Sequence, residues 1–263
     1  MSETKGNNWA IILGGSRGLG LATAQKLSEE GYAICIVHRD RRADLPEIQI
    51  QFTKIKENAP AFCSFNTDAV NPQKRREIIQ ELKSGFKEGD RVKVLVHSIA
   101  KGSLKPMYSP NGEVLSAEDV EITFRAMALS LYEWVQNLVS ENMNHPDMRV
   151  ISFTSEGNTK AMPGYAAVSV AKAALEAFTR SIALEFAPLG IKANCIQAGV
   201  TNTSSFNMIP GSERIMEMAK KRNPYGRITR AEDVADVVSM LCREEARWIN
   251  GSIVKADGGE SLR

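Results

Sequence analysis

Three groups of residues have types and spacings that could do chemistry: a glycine run, Gly14-Gly15-Ser16-Arg17-Gly18-Leu19-Gly20; a basic turn, His38-Arg39-Asp40-Arg41-Arg42; and the set Ser155, Tyr165 and Lys172. The glycine run is suited to phosphate. Its spacing, Gly14-x3-Gly18-x-Gly20, lies between an apolar run and an amphipathic one, where a strand would turn into a helix. Residues without side chains let the backbone approach a pyrophosphate closely, and the free N–H groups of a helix start carry partial positive charge. Gly14, Ser16, Arg17, Gly18, Leu19 and Gly20 are therefore candidate dinucleotide-binding residues.

The basic turn follows the second apolar run. A site selective for NADH places a carboxylate here for the ribose 2′-hydroxyl, and one for NADPH a guanidinium for the 2′-phosphate. His38 stands in the carboxylate's place and Arg39 follows it, with Arg17 as a second cation. The expectation is NADPH in preference to NADH. A shift of the turn would instead let Asp40 serve as the acid. Asp68 and its neighbour Ala69, after the third run, are candidates for the adenine, and Asp68 reads equally as a turn residue.

These residues need a frame. Short apolar runs at 9–13, 33–37, 61–65, 92–96, 149–153, 192–196 and 252–255 read as strands buried on both faces. Amphipathic stretches at 19–30, 44–57, 73–86, 117–141, 166–186 and 231–242 read as helices, with caps expected at Ser116-x-x-Asp119 and Thr229-x-x-Glu232. The alternation predicts one α/β domain over 1–263, a Rossmann-type seven-stranded parallel sheet with helices on both faces. Residues 1–8 are expected to be a flexible N-terminus and not a signal peptide, and 201–222 a lid or an ordinary surface loop.

The bulk numbers exclude other classes. In 263 residues the formal net charge is +2, too balanced to argue for a nucleic-acid or membrane partner. No apolar stretch approaches the roughly 20 residues that span a bilayer, so a cytoplasmic protein is expected. Cys35, Cys63, Cys195 and Cys242 form no CxxC pair and read as free thiols, most of them in buried strands; His38, His97 and His145 lack ligand spacing, so no metal site is expected.

Ser155 ends the fifth run, and Gly164-Tyr165-Ala166-Ala167-Val168-Ser169-Val170-Ala171-Lys172 opens the long sixth helix. With the glycine loop and the closing Asp257-Gly258-Gly259, this set resembles the short-chain dehydrogenase/reductases over nearly the whole chain. The usual pattern of that family has tyrosine four residues before lysine; here that position is Val168, and the tyrosine stands seven before, at Tyr165. The longer spacing is similar to the enoyl-acyl carrier protein reductase branch. Val96-His97-Ser98-Ile99-Ala100, Met127 in place of a family asparagine, and Ala198-Gly199-Val200-Thr201-Asn202-Thr203 resemble that branch too. Ser155 stands ten residues before Tyr165, where a widespread form has a second tyrosine, and resembles the NADPH-using subgroup.

The resemblance implies an enoyl thioester substrate, carried on acyl carrier protein or coenzyme A, in fatty acid biosynthesis. It implies Tyr165, Lys172 and Ser155 as catalytic residues, and Ser98, Ile99, Ala100, Lys172, Gly199, Val200, Thr201 and Thr203 at the cofactor. It also implies a homotetramer. The shifted tyrosine has a physical meaning. Hydride delivered to a β-carbon leaves negative charge on the thioester oxygen, several bonds away, so the acid must be displaced. Seven helical residues would rise about 10 Å, which predicts Tyr165 in the turn before the helix. His97 reads as structural. Met208, Ile209, Met216 and Met218 would line an acyl channel or simply pack a lid. Two other functions stay open: a carbonyl or alcohol oxidoreductase using Tyr165 in a shifted register, and a silent NADP(H) sensor.

Overall fold

The computed structural model describes residues 6–263. Seven strands, β1 (Asn8–Leu13), β2 (Ala33–His38), β3 (Phe62–Asn66), β4 (Arg91–His97), β5 (Asn144–Thr154), β6 (Lys192–Ala198) and β7 (Ile253–Ala256), form one sheet. The order is β3-β2-β1-β4-β5-β6-β7, with every neighbouring pair parallel. Such a sheet is buried on both faces, which is why its strands read as continuous apolar runs rather than alternating ones.

Two cores result. On one face Ile11, Leu13, Leu95 and Val150 pack under Leu131, Trp134 and Leu138 of α5 (Ser130–Ser140) and Leu175 and Ile182 of α6 (Ala166–Glu185). On the other, Ile12, Ile34, Ile36, Val96 and Phe153 meet α1 (Gly18–Glu29), α2 (Leu45–Asn58) and α9 (Ala231–Cys242). The connections run through α3 (Pro72–Gly85), α4 (Ala117–Phe124), α7 (Ser204–Asn207) and α8 (Ser212–Arg222). Strand order reverses between β1 and β4, so a crevice opens where those two strands end.

Four expectations change. Asn8 already belongs to β1, and the Asn7 N–H donates to Asp90 Oδ1 at 2.6 Å, so the strand claims part of the proposed flexible tail; residues 1–5 lie outside those described. The expected helix over 117–141 is α4 and α5 joined by a π-helical turn, Arg125–Leu129, which widens the helix where Met127 faces inward. The Ser116–Asp119 capping box forms, but the second cap shifts by one residue: Arg230 starts α9 and its N–H donates to Asp233 Oδ2. Cys63 is only half-buried, since β3 is an edge strand; Cys35, Cys195 and Cys242 are buried, and all four thiols are free.

Candidate active site

The crevice begins at the glycine run. Gly14 has φ +82°, and a Cβ there would stand 2.5 Å from the Ser98 carbonyl oxygen; one on Gly20 would stand 2.3 Å from the Gly14 carbonyl. Those positions therefore admit only glycine while the loop stays closed on itself. The first hydrogen bond of α1 runs from Leu21 N to Arg17 O, so the N–H groups of Gly18, Leu19 and Gly20 precede the helical ladder. Thr203 packs against Gly18 from the far side, its Cγ2 within 3.1 Å of a Cβ placed there. Its hydroxyl caps α7 by accepting from Phe206 N. A cavity of about 270 Å³ lies here, lined on one side by Ser16, Arg17 and Gly18 and on the other by Asn202, Thr203 and Ser204. A glycine cradle that side chains would fill, beside unpaired helix-start donors, fits a dinucleotide pyrophosphate.

At the adenine end the basic turn folds differently from its reading as a sequence. His38 ends β2 with its ring buried, edge-on to Phe52, and does not take a ribose-facing place. Its Nδ1 bonds Asp40 Oδ2 at 2.8 Å. Asp40 also lies 3.5 Å from Arg17 Nε. Burial alone would raise the Asp40 pKa, but hydrogen bonds from Ser16 and His38 and the Arg17 charge hold it below the usual carboxylate range. Arg39 is exposed and donates to Asp68 Oδ2 at 2.8 Å, while Asp68 Oδ1 accepts from Val70 N in a side-chain turn. Ala69 faces inward, its carbonyl accepting from Trp134 Nε1. Ser98 closes the floor, its N–H donating to Leu13 O, and Ile99 and Ala100 lead away from it.

At the other end, Tyr165 is the N-cap residue of α6, with φ −108° and ψ 2° outside the helical run. Gly164, at φ +72°, supplies the turn that brings it there. Its hydroxyl lies 3.3 Å from Ser155 Oγ. Burial raises the phenol's pKa and the Ser155 contact partly opposes this, so Tyr165 stays protonated at neutral pH. Its ring packs against Gly157: a Cβ on Gly157 would stand 2.5 Å from Tyr165 Cε1. Around it close Met127, Val168, Ile99, Leu104, Met162 and Ile209, an apolar wall.

Lys172, one face of α6 further on, is buried and donates to the Phe153 carbonyl at 2.6 Å. Burial lowers its pKa to about 8. His97, below it, donates from Nε2 to Ser130 Oγ, because that hydroxyl's own proton goes to Ala126 O. Burial and the nearby Lys172 charge push the imidazole's pKa down to about 3, so it stays neutral.

Ser155 and Tyr165 thus meet at the end of β5, where Lys172 bonds the carbonyl two residues before Ser155, and Thr203, beyond β6, packs against the glycine loop. The four suggested channel residues divide. Ile209 joins the wall around Tyr165 and Met216 is half-buried, whereas Met208 and Met218 face solvent. Leu104, Met162 and Gly157 were missed by sequence reading. Only the small residue at 157, two positions after Ser155, hinted at a close approach.

The chain matches the family model described as enoyl-(acyl carrier protein) reductase over residues 14–261. The chain belongs to the short-chain dehydrogenase/reductases, in the enoyl-acyl carrier protein reductase branch. An enoyl-[acyl-carrier-protein] reductase [NADH] of Aquifex aeolicus is 32% identical over 186 residues, covering 70% of this chain and 67% of its own. A chloroplastic NADPH-dependent aldehyde reductase-like protein of Arabidopsis thaliana is 28% identical over 95% of this chain and 93% of its own. The crystal structure of the enoyl-[acyl-carrier-protein] reductase (NADH) from Aquifex aeolicus VF5 superposes with a TM-score of 0.80 at 24% identity, covering 97% of each chain. The chain is accordingly an oxidoreductase of that family with a nicotinamide cofactor, and its sheet follows the family fold. Among its described residues no helix is long and apolar enough to cross a membrane.

Proposed function

We propose that the protein is an NADPH-dependent enoyl-[acyl-carrier-protein] reductase, acting on the α,β double bond of an enoyl thioester in fatty acid biosynthesis. The observation that carries the reading is the place of Tyr165. It caps α6 seven residues before Lys172, while the apolar Val168 occupies the position four before. The phenol therefore sits back from Lys172, within an apolar wall suited to an acyl chain.

Held by the glycine loop, NADPH would supply a hydride for the substrate's β-carbon. The electron pair of the double bond then moves toward the thioester oxygen. Tyr165 donates a hydrogen bond to that oxygen, stabilising charge as it develops, and a proton taken up from solvent at the α-carbon completes the saturated thioester. Ser155 orients the phenol. Lys172 binds the nicotinamide ribose and places its positive charge near the forming anion. Backbone at Ser98–Ala100 and Gly199–Thr203 would hold the nicotinamide end, and Arg39 with Arg17 would hold the 2′-phosphate. The substrate's carrier is acyl carrier protein or coenzyme A, and the working form is a homotetramer.

The name of the Arabidopsis relative supports carbonyl reduction as a second reading, and the Ser155–Tyr165 hydrogen bond is compatible with it. Loss of reduced-nicotinamide absorbance separates the two. Enoyl thioesters should drive NADPH oxidation and a panel of ketones and aldehydes should not. Turnover confined to carbonyls would replace the proposal with the second reading.

A further inference from the structure

The end of α8 carries a charge network that the reaction above does not use. Arg222, the last residue of α8, spreads its two terminal nitrogens between two carboxylates. Nη1 donates to Glu156 Oε2 at 2.9 Å and Nη2 to Glu260 Oε1 at 2.9 Å. Each carboxylate leads to one half of the active site. Glu156 directly follows Ser155 and opens the turn whose Gly157 supports the Tyr165 ring. Glu260 is buried in the C-terminal turn, and its second oxygen, Oε2, accepts from Val200 N at 3.1 Å. Gly199 lets it approach, since a Cβ there would stand 2.9 Å from the same oxygen.

We propose that Arg222 is a positioning residue that couples the nicotinamide-side loop 199–203 to α8, the helix that follows Ile209 of the apolar wall, so that bound cofactor sets the helix before the acyl chain enters. The inference rests on the reading of 199–203 as the nicotinamide-side loop.

An exposed ion pair would be worth little, but Glu260 is 3% exposed. Burial raises its pKa, and the Val200 N–H and the Arg222 charge oppose this. Only with its countercharge in place does the carboxylate keep both oxygens as acceptors, one for the helix and one for the loop. A guanidinium can bond two separate carboxylates at once, whereas a lysine ammonium offers a single point charge. Any ligand that fixes the Val200 backbone is then felt at the end of α8, and the coupling is reciprocal.

The test measures tryptic cleavage at the exposed Lys220 and Lys221 of α8, with and without NADPH, beside NADPH affinity by nucleotide fluorescence. In the wild type NADPH should slow cleavage by about tenfold. Arg222→Met should reduce that protection to less than about twofold and weaken NADPH by about fivefold. Glu260→Gln serves if the first variant does not fold. A glutamine has one acceptor oxygen and cannot serve Val200 and Arg222 together, so protection should fall here too. A purely structural role would speed cleavage equally in both conditions and leave the ratio intact. Full protection in either folded variant overturns the proposal, as does a wild type that NADPH does not protect. Enoyl thioester turnover is scored separately, so failure of the coupling and failure of the proposed reaction are distinguishable.

Discussion

Where the strands begin, Asp147 accepts from Lys192 at 2.8 Å, Lys93 at 2.5 Å and Arg149 at 3.1 Å, and Arg149 is further bound by the carbonyls of Ala246 and Arg243. Where they end, Lys172 is buried and donates to one carbonyl; among the described residues no carboxylate lies within ion-pair distance of it. Burial would raise the Asp147 pKa, yet the three cations carry it well below the usual carboxylate range. At Lys172 burial prevails and the pKa falls to about 8. One edge of the sheet resolves its buried charge internally, and the other leaves it unresolved. Unresolved buried charge in a crevice marks a group kept for a ligand. The first edge should therefore govern stability and the second turnover.

Tyr165→Phe should show the largest effect. Loss of the oxygen-stabilising donor should lower kcat by about 10²–10³-fold, with NADPH affinity and melting temperature unchanged. Unchanged kcat would remove Tyr165 from the mechanism. At the opposite edge, Asp147→Asn leaves a buried guanidinium and two lysines without their carboxylate. It should cost about 2–3 kcal/mol of unfolding free energy, read by urea denaturation, with NADPH binding intact. Because the folded-state pKa is depressed, this stabilisation is present above the ordinary carboxylate pKa and is lost as pH falls below it. The wild type should lose that margin on acidification and the variant should not.

Lys172→Met sharpens the contrast, since the two edges predict opposite signs. Removing an uncompensated buried ammonium should abolish turnover yet stabilise the cofactor-free protein by about 2 kcal/mol at neutral pH. The wild-type pKa is lowered, so the unfolded chain binds more protons between about pH 8 and its ordinary value near 10.5. Wild-type stability should then rise with pH across that window, and the variant should lack the rise. A destabilised Lys172→Met would mean that the lysine is satisfied in the cofactor-free fold. The smallest effect is expected at the exposed Arg39. Arg39→Asp should shift the NADPH-to-NADH preference by about 1 kcal/mol, measured as the ratio of kcat/KM values. An unchanged ratio would assign the 2′-phosphate to Arg17 alone.

Of the two edges, only the one where the strands end was legible in the sequence, and the illegible parts share a cause. The glycine run, the alternation of strands with helices and Tyr165 in the turn before α6 follow from local pattern, because backbone geometry imposes those residue types. The orientation of His38 did not follow. All six residues of β2 are buried, so no polar alternation tells which way its last side chain points. The π-helical turn at Met127 left no mark, since its apolar residues suit a regular helix equally well. Gly157 under Tyr165 and Glu260 under Val200 are contacts between distant segments, set by packing that no single stretch encodes. The cap of α9 was misplaced by one residue because Thr229 and Arg230 are each followed, three positions on, by an acid.

The central claim is that the retracted Tyr165 serves charge on an oxygen remote from the carbon that takes the hydride. Incubation with NADPH deuterated at the transferable position and an unsaturated thioester also bearing a ketone tests it most directly. Mass spectrometry of the product should find deuterium on the β-carbon of a saturated thioester with the ketone intact. Deuterium on a newly formed carbinol carbon, with the double bond retained, would contradict the account.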